Sequence, residues 1–358
     1  MYNYFLRLSQ QGMAFLTVQV TIFLYNKETY ILLNNIILVY LVMLSFLQPI
    51  LQNIWVGKED FLKDIIVISC VGLFLSWLLG SSLFLLTFIF VLSRCIERYF
   101  YISSLNKVKF EVMQIKMLVL YFFEFIFVVL ASYFGKGIDY RVLVGAFSFF
   151  LSVFLYKGGI VLYRKNCVGV KEYAKNLIVV FPVLIYFLFS VLLINIDRKY
   201  LNFGLDVNVT SLLAINVLNV VFSLCSIKID QLRVGFKKGI YPSISVKSIL
   251  MLYFLFSLVF YFIFILTKGV HLLGEINILY YVSYVILNFV LIIYMMYSTY
   301  FLQNNEFKRV VLYLTLALLT KFFLLEVTDF LFISNIVSSI VLLMGFVILK
   351  REYYEKKH

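Results

Sequence analysis

The chain has 358 residues, 63% of them apolar and 14% charged, with 39 Phe, 27 Tyr and a mean hydropathy of +1.00. Ordinary globular composition is roughly half apolar and about a quarter charged, so a soluble domain is excluded and a polytopic membrane protein is expected. The formal net charge of +13 would suggest nucleic acid in a soluble chain, but where segments cross a bilayer the place of each cation matters more than the total.

A spanning helix needs about 20 largely apolar residues. Such runs predict an all-α chain of about twelve spans, at 2–25, 30–56, 62–78, 80–97, 114–134, 140–163, 174–195, 207–227, 248–267, 276–302, 308–326 and 330–350. The third and fourth also read as one re-entrant hairpin around Gly80, Ser81 and Ser82. The first helix carries Asn3, Arg7, Gln10, Thr17 and Thr21 at i+3 and i+4 spacing, with small Ala14 filling the gap, which places them on one stripe. The second carries Ser45, Gln48 and Gln52 on one face. Glu124 lies about ten residues from either end of the fifth helix, too deep for its side chain to reach an interface, so it must be neutral, paired or facing water. Either it takes up a proton or helps to bind a coupling cation, or it is a protonated carboxyl bonded to a neighbouring helix.

The basic, less apolar stretch from Lys157 to Lys175 divides the spans six and six, giving an N-terminal half over 1–168 and a C-terminal half over 169–358. The seventh helix ends in Asn195-Ile-Asp197-Arg198-Lys199. Arg198 either pairs with Asp197 as a local cap or faces a cavity mouth, where a guanidinium suits phosphate. The eighth carries Asn216, Asn219, Ser223 and Ser226 on one face, and Lys321 near the outer end of the eleventh is placed to snorkel. The fourth helix of each half is followed by a similar string, Tyr101 to Phe110 and Tyr300 to Arg309; aligned without a gap, Tyr101 meets Tyr300, Asn106 meets Asn305 and Lys109 meets Lys308. This supports a parallel duplication of the kind from which many transporters are built. Polar side chains inside spans either bond between helices or line water; because the stripes recur in both halves, a hydrated central cavity is the preferred reading.

With the N-terminus inside, 24 of the 31 Lys and Arg fall on the inner side and 6 on the outer, leaving Lys321 within a span. This obeys the positive-inside rule and returns the C-terminus to the cytoplasm. The basic groups sit at helix ends beside anionic lipid rather than on one soluble face, so no nucleic-acid partner is expected. Residues 1–25 lack a basic leader and a small-residue cleavage site, so the first helix is expected to remain in the mature protein. Two His and four Cys have no metal-ligand spacing. There is no nucleophile elbow or phosphate loop, and the longest outer connection, about residues 196–206, is too short for a catalytic domain. An enzyme and a resident cofactor are therefore not expected.

The seventh-helix ending Asn195-Ile-Asp197-Arg198, the amphipathic eighth helix, the inner loop with Tyr241-Pro242-Ser243-Ile244-Ser245 and the string Arg94-Cys-Ile-Glu-Arg98-Tyr-Phe-Tyr together resemble the Wzx-type polysaccharide flippases of the multidrug/oligosaccharidyl-lipid/polysaccharide (MOP) exporter superfamily. The resemblance implies two six-helix lobes around a central cavity, in the bacterial cytoplasmic (inner) membrane, flipping undecaprenyl-pyrophosphate-linked oligosaccharide for O-antigen or capsule synthesis by alternating access. It also implies that the first, second, seventh and eighth helices line the cavity, with glycan polymerase and other polysaccharide-assembly proteins as partners. The candidate substrate residues are then Arg7, Gln10, Thr17, Gln48, Gln52, Arg198, Asn216 and Asn219, with Glu124 as a candidate for proton or sodium coupling. The alternatives are a membrane-embedded glycan polymerase, which would want a long outer loop, and a MATE-like small-molecule exporter, which would favour acidic cavity residues.

Overall fold

The computed structural model describes residues 2–55, 60–79, 83–105, 110–156, 169–179, 181–203, 211–222, 277–304, 306–328 and 331–357, with scattered helical residues between 247 and 261. Among them there is no strand. The helices are α1 (Tyr2–Leu24), α2 (Lys27–Trp55), α3 (Phe61–Leu79), α4 (Phe84–Leu105), α5 (Phe110–Ala131), α6 (Ile138–Tyr156), α7 (Val170–Val179), α8 (Phe181–Asn195) and α9 (Asp197–Phe203). They continue with α10 (Ser211–Phe222), α11 (Ile278–Gln303), α12 (Phe307–Val327) and α13 (Leu331–Lys357). Among the described residues seven stretches are long and apolar enough to cross a membrane: Lys27–Leu47, Phe61–Leu79, Val112–Ala131, Phe181–Leu201, Ile278–Leu302, Phe307–Val327 and Leu331–Glu355. The chain is therefore an all-α polytopic membrane protein by length, composition and helix content.

The faces of these helices are sorted as a lipid solvent requires. Along the middle of α12 the apolar Leu312, Leu316, Leu319 and Phe323 are exposed, with Lys308, Arg309 and Glu326 exposed near its ends, whereas Lys321 on the same helix is wholly buried. On α3 Leu62, Phe74 and Trp77 face outward while Asp64 and Ser76 face inward. Apolar groups outside and polar groups inside reverse the soluble pattern and match a bundle immersed in hydrocarbon.

Several helix ends depart from expectation for local reasons. The second helix begins at Lys27, because the Asn26 side chain accepts from the Thr29 amide at 2.6 Å; this N-cap draws the charged tripeptide into the first turn. The fourth continues to Leu105 instead of ending at 97. Its charges remain helical because Arg94 and Glu97 pair at 3.0 Å across one turn. The last helix runs on to Lys357, tied by Arg351 to Glu355 at 2.8 Å and by Arg309 of α12 to Glu352 at 2.5 Å. Where one seventh span was expected, described helices lie on both sides of residue 180, as α7 and α8.

The chain forms two compact units, Met1–Leu188 and Phe189–His358. In the first, α4 packs along α6 and against α2 and α3, while α1 lies along α5. In the second, α13 packs along α11 and α12. Each unit thus places the fourth of its predicted spans along the sixth. Both contacts depend on a glycine. A Cβ on Gly145 of α6 would come 2.7 Å from the Phe90 ring of α4, and one on Gly345 of α13 would come 2.7 Å from Cβ of Tyr313 and 3.0 Å from the Tyr294 ring. The Tyr294 hydroxyl donates to the Val310 carbonyl beside this contact.

These contacts predict that Gly345→Ala lowers stability by about 1–3 kcal/mol through overpacking. A Cβ on Gly12 of α1 meets nothing within 4 Å, so Gly12→Ala should be neutral or slightly stabilising. Thermal unfolding of the two purified variants compares them directly.

Candidate functional site

In the first unit a buried ion cluster joins four helices. Glu124 of α5, only 3% exposed, accepts from Nη2 of Arg94 in α4. Nη1 of the same guanidinium donates to Glu97 at 3.0 Å. Arg141 of α6 approaches Glu124 from the other side, Nη1 to Oε1 at 3.9 Å. Its Nε donates to Thr21 Oγ1 at 3.1 Å and its Nη2 to the Thr17 carbonyl at 3.4 Å, both on α1. Two arginines and two glutamates give no net charge, the condition under which buried ions are tolerated. Of the three states open to Glu124 from its depth, neutral, paired or wet, the structure holds it paired.

The first-helix stripe belongs to the same interior. The Gln10 amide donates to the Gln114 carbonyl of α5 at 2.6 Å. The Thr17 hydroxyl donates to the Met13 carbonyl at 2.7 Å, and the Tyr30 hydroxyl donates to Gln19 at 3.2 Å. Gln10, Thr17 and Thr21 are all buried and bonded within the unit. Arg7, Gln48 and Gln52 lie on α1 and α2, but their side chains are outside the described set, as are residues Ser223, Ser226, Asn106, Asn305, Lys157 to Asn166 and Tyr241 to Ser245.

Near the start of α3 lies a third buried carboxylate, Asp64. It accepts from the hydroxyls of Tyr99 in α4 at 2.9 Å and Tyr173 in α7 at 2.6 Å. Burial, and then the hydrogen bond to this carboxylate, push the Tyr173 phenol well above its ordinary pKa. The contact docks α7, whose Val170, Ile178 and Val179 remain exposed, against the bundle.

In the second unit the α8–α9 junction gathers the other candidates. Arg198, 1% exposed, donates through Nε to Asn195 Oδ1 at 3.1 Å and through Nη2 to Asn216 Oδ1 at 2.8 Å. Asn219, one turn along α10 from Asn216, donates to the same Asn195 oxygen at 3.0 Å. Asp197, adjacent in sequence, pairs instead with Lys321 of α12 at 2.7 Å and accepts from the Tyr280 hydroxyl of α11 at 3.1 Å. The Lys321 ammonium also donates to the Leu193 carbonyl at 2.7 Å, and the Tyr284 hydroxyl donates to the Ile194 carbonyl. Lys321 does not snorkel; it is an internal ion pair.

The structure therefore brings Arg198, Asn216 and Asn219 into one network, joins Thr17 to Glu124 through Arg141 in another, and bonds Gln10 separately to the Gln114 carbonyl. Sequence reasoning missed the partners. Arg94 and Arg141 both approach Glu124, so their places in the chain answer to a buried carboxylate as well as to the membrane sides. Glu97 at i+3 from Arg94 was the available signal, because a deep Glu124 needs cations on neighbouring helices. Among the described residues no group of three His, Cys, Asp or Glu could hold a metal, and Cys70 and Cys95 are free thiols.

Breaking this cluster should be costly. Glu124→Ala leaves Arg94 and Arg141 short of a counter-ion and is expected to destabilise the protein by about 3–5 kcal/mol. Glu124→Ala combined with Arg141→Met should recover part of that loss, as a double-mutant cycle on thermal unfolding would measure. No family model matches the chain, and no curated protein matches it either.

Proposed function

We propose that the protein is a flippase of the Wzx type, moving undecaprenyl-pyrophosphate-linked oligosaccharide across the cytoplasmic membrane by alternating access of two helical lobes. The observation that carries this reading is the α8–α9 network, in which Asn195, Arg198, Asn216 and Asn219 bond to one another inside a membrane bundle. Amides and a guanidinium are the groups that hydrogen-bond sugar hydroxyls and fork onto a pyrophosphate. Of the charged groups Asp197, Arg198 and Lys321 gathered there, two are cationic, which suits an anionic head group. Arg7 would add a further cation, and Gln10, Thr17, Gln48 and Gln52 would offer replaceable hydrogen bonds in the state that opens the first lobe.

In this mechanism no covalent bond changes. Glycan and pyrophosphate exchange hydrogen bonds with the cavity while the polyprenyl tail stays in lipid, and ligand binding shifts the balance between inward-open and outward-open arrangements. Proton or sodium coupling at Glu124 would act by releasing Arg94 or Arg141 from the buried cluster. Both termini would be cytoplasmic, and polymerase and other assembly proteins would receive the product at the outer leaflet.

The test is deletion of the gene followed by analysis of lipid-linked oligosaccharide. A flippase predicts complete repeat units trapped on the inner leaflet; single units accumulating on the outer leaflet would identify a polymerase instead. Complementation with Arg198→Gln should fail where the wild type succeeds. Loss of one charged hydrogen-bond donor, worth about 1.5–3 kcal/mol, corresponds to about a tenfold or greater fall in export at matched membrane abundance.

A further inference from the structure

The 10 residues of α7 are too few for an α-helix to hold itself in water, so it must be fastened from outside. One fastening is internal. Tyr173, its one buried residue, donates to Asp64 at 2.6 Å, and the Lys63 ammonium lies 6.0 Å from the Tyr173 ring. That lysine is already paired with Asp60 at 2.6 Å. The other side of α7 is open. Val170, Ala174 and Ile178 are exposed there, and their i+4 spacing makes them one row. Lys171 and Lys175, also exposed, form the adjoining row, which ends in exposed Val179; Glu172 lies beyond it. Among the described residues neither lysine has an ion-pair partner, and two like charges one turn apart weaken a helix left in water. The charges stand in the first half of α7, whereas Leu177, Ile178 and Val179 close its second half.

We propose that this open face of α7 binds the anionic headgroups of a phospholipid leaflet. Lys171 and Lys175 lie at the level of the phosphates, Val170 and Ala174 sink between the headgroups, and Ile178 and Val179 enter the acyl chains. The lipid is thus the second fastening of α7, opposite the Tyr173–Asp64 bond. Two observations favour lipid over a protein partner. The exposed row is continuous with exposed Phe181, the first residue of a stretch apolar enough to cross the membrane. It also mixes cations with apolar groups, the signature of a helix at headgroup level, whereas the Leu312, Leu316 and Leu319 row of α12 has no charge along it and suits hydrocarbon alone. Each lysine gains from a negative surface potential and loses that gain as salt screens it. The contact does not rest on the flippase reading.

The lipid contact is tested on purified full-length protein with its four native cysteines replaced by alanine. Ala174→Cys carries a bimane fluorophore, and Glu172→Cys, exposed beyond the lysine row, carries the same label as a control. Each is placed in nanodiscs of phosphatidylcholine alone or with about one third phosphatidylglycerol, whose two faces have the same lipid, so the orientation of the protein does not enter. Quenching by headgroup-region spin-labelled lipid is divided by quenching by acrylamide in the water. At position 174 the ratio should be at least about fivefold higher in the anionic discs, and high salt should reduce it; at position 172 it should stay low in both. Lys171→Gln with Lys175→Gln should bring the anionic value at 174 down to the phosphatidylcholine value. An equal ratio at 174 in the two discs, or one that the double variant leaves unchanged, overturns headgroup binding. A fluorophore at 174 shielded from acrylamide but not quenched by lipid reports a protein surface there, such as a second copy of the chain, and overturns it as well.

Discussion

A bundle dissolved in hydrocarbon has no water with which to satisfy its polar groups, so each must find a partner within the protein. The Arg94–Glu97–Glu124–Arg141 cluster is the strongest expression of that constraint here. Four charges that would each be costly alone form a neutral set spanning α4, α5 and α6, and Thr17 and Thr21 bring in α1. The arrangement of helices in the first unit and the satisfaction of its buried ions are therefore one problem with one solution. The close α4–α6 approach permitted by Gly145 serves the same end, since α4 and α6 carry the two arginines.

The second unit meets the constraint with mostly neutral groups. Asn195 occupies its centre, its oxygen accepting from both Arg198 and Asn219, while Tyr280 and Tyr284 hold the neighbouring carboxylate and backbone. Amide and hydroxyl bonds inside membrane bundles contribute roughly 1 kcal/mol or less apiece, so they can be exchanged for ligand bonds at small cost. A neutral ionic cluster gives rigidity; an amide network with excess positive charge gives exchangeable contacts. The proposed transport role draws on that difference, with the first cluster as scaffold and the second as binding surface.

Much of the fold was legible because spans are written in hydropathy, and predicted and observed limits agree closely at 308–326 against Phe307–Val327. Disagreement falls where charged residues were read as loop. Lys27 to Thr29, Arg98 to Leu105 and Arg351 to Lys357 are helical, the first held by the Asn26 cap, the second with Arg98 lying over the Tyr101 ring and the third with Arg351 paired to Glu355. For the site, helical spacing gathered Asn216 and Asn219, and depth singled out Glu124. Partnership between helices was not legible: a single sequence carries no distance from Glu124 to Arg141 or from Asp197 to Lys321. Those cations were consequently read as orientation signals or as snorkelling side chains.

The central claim is that a lipid-linked glycan crosses the membrane through this protein without any change in its bonds. The most direct measurement is reconstitution of the purified chain into vesicles holding undecaprenyl-pyrophosphate-linked oligosaccharide, followed by the fraction of glycan open to an impermeant glycosidase outside. The account predicts that this fraction rises toward complete digestion in wild-type vesicles, stays at the protein-free level with Arg198→Gln, and leaves the oligosaccharide length unchanged. A fraction no different from protein-free vesicles, or the appearance of longer glycans, would contradict it.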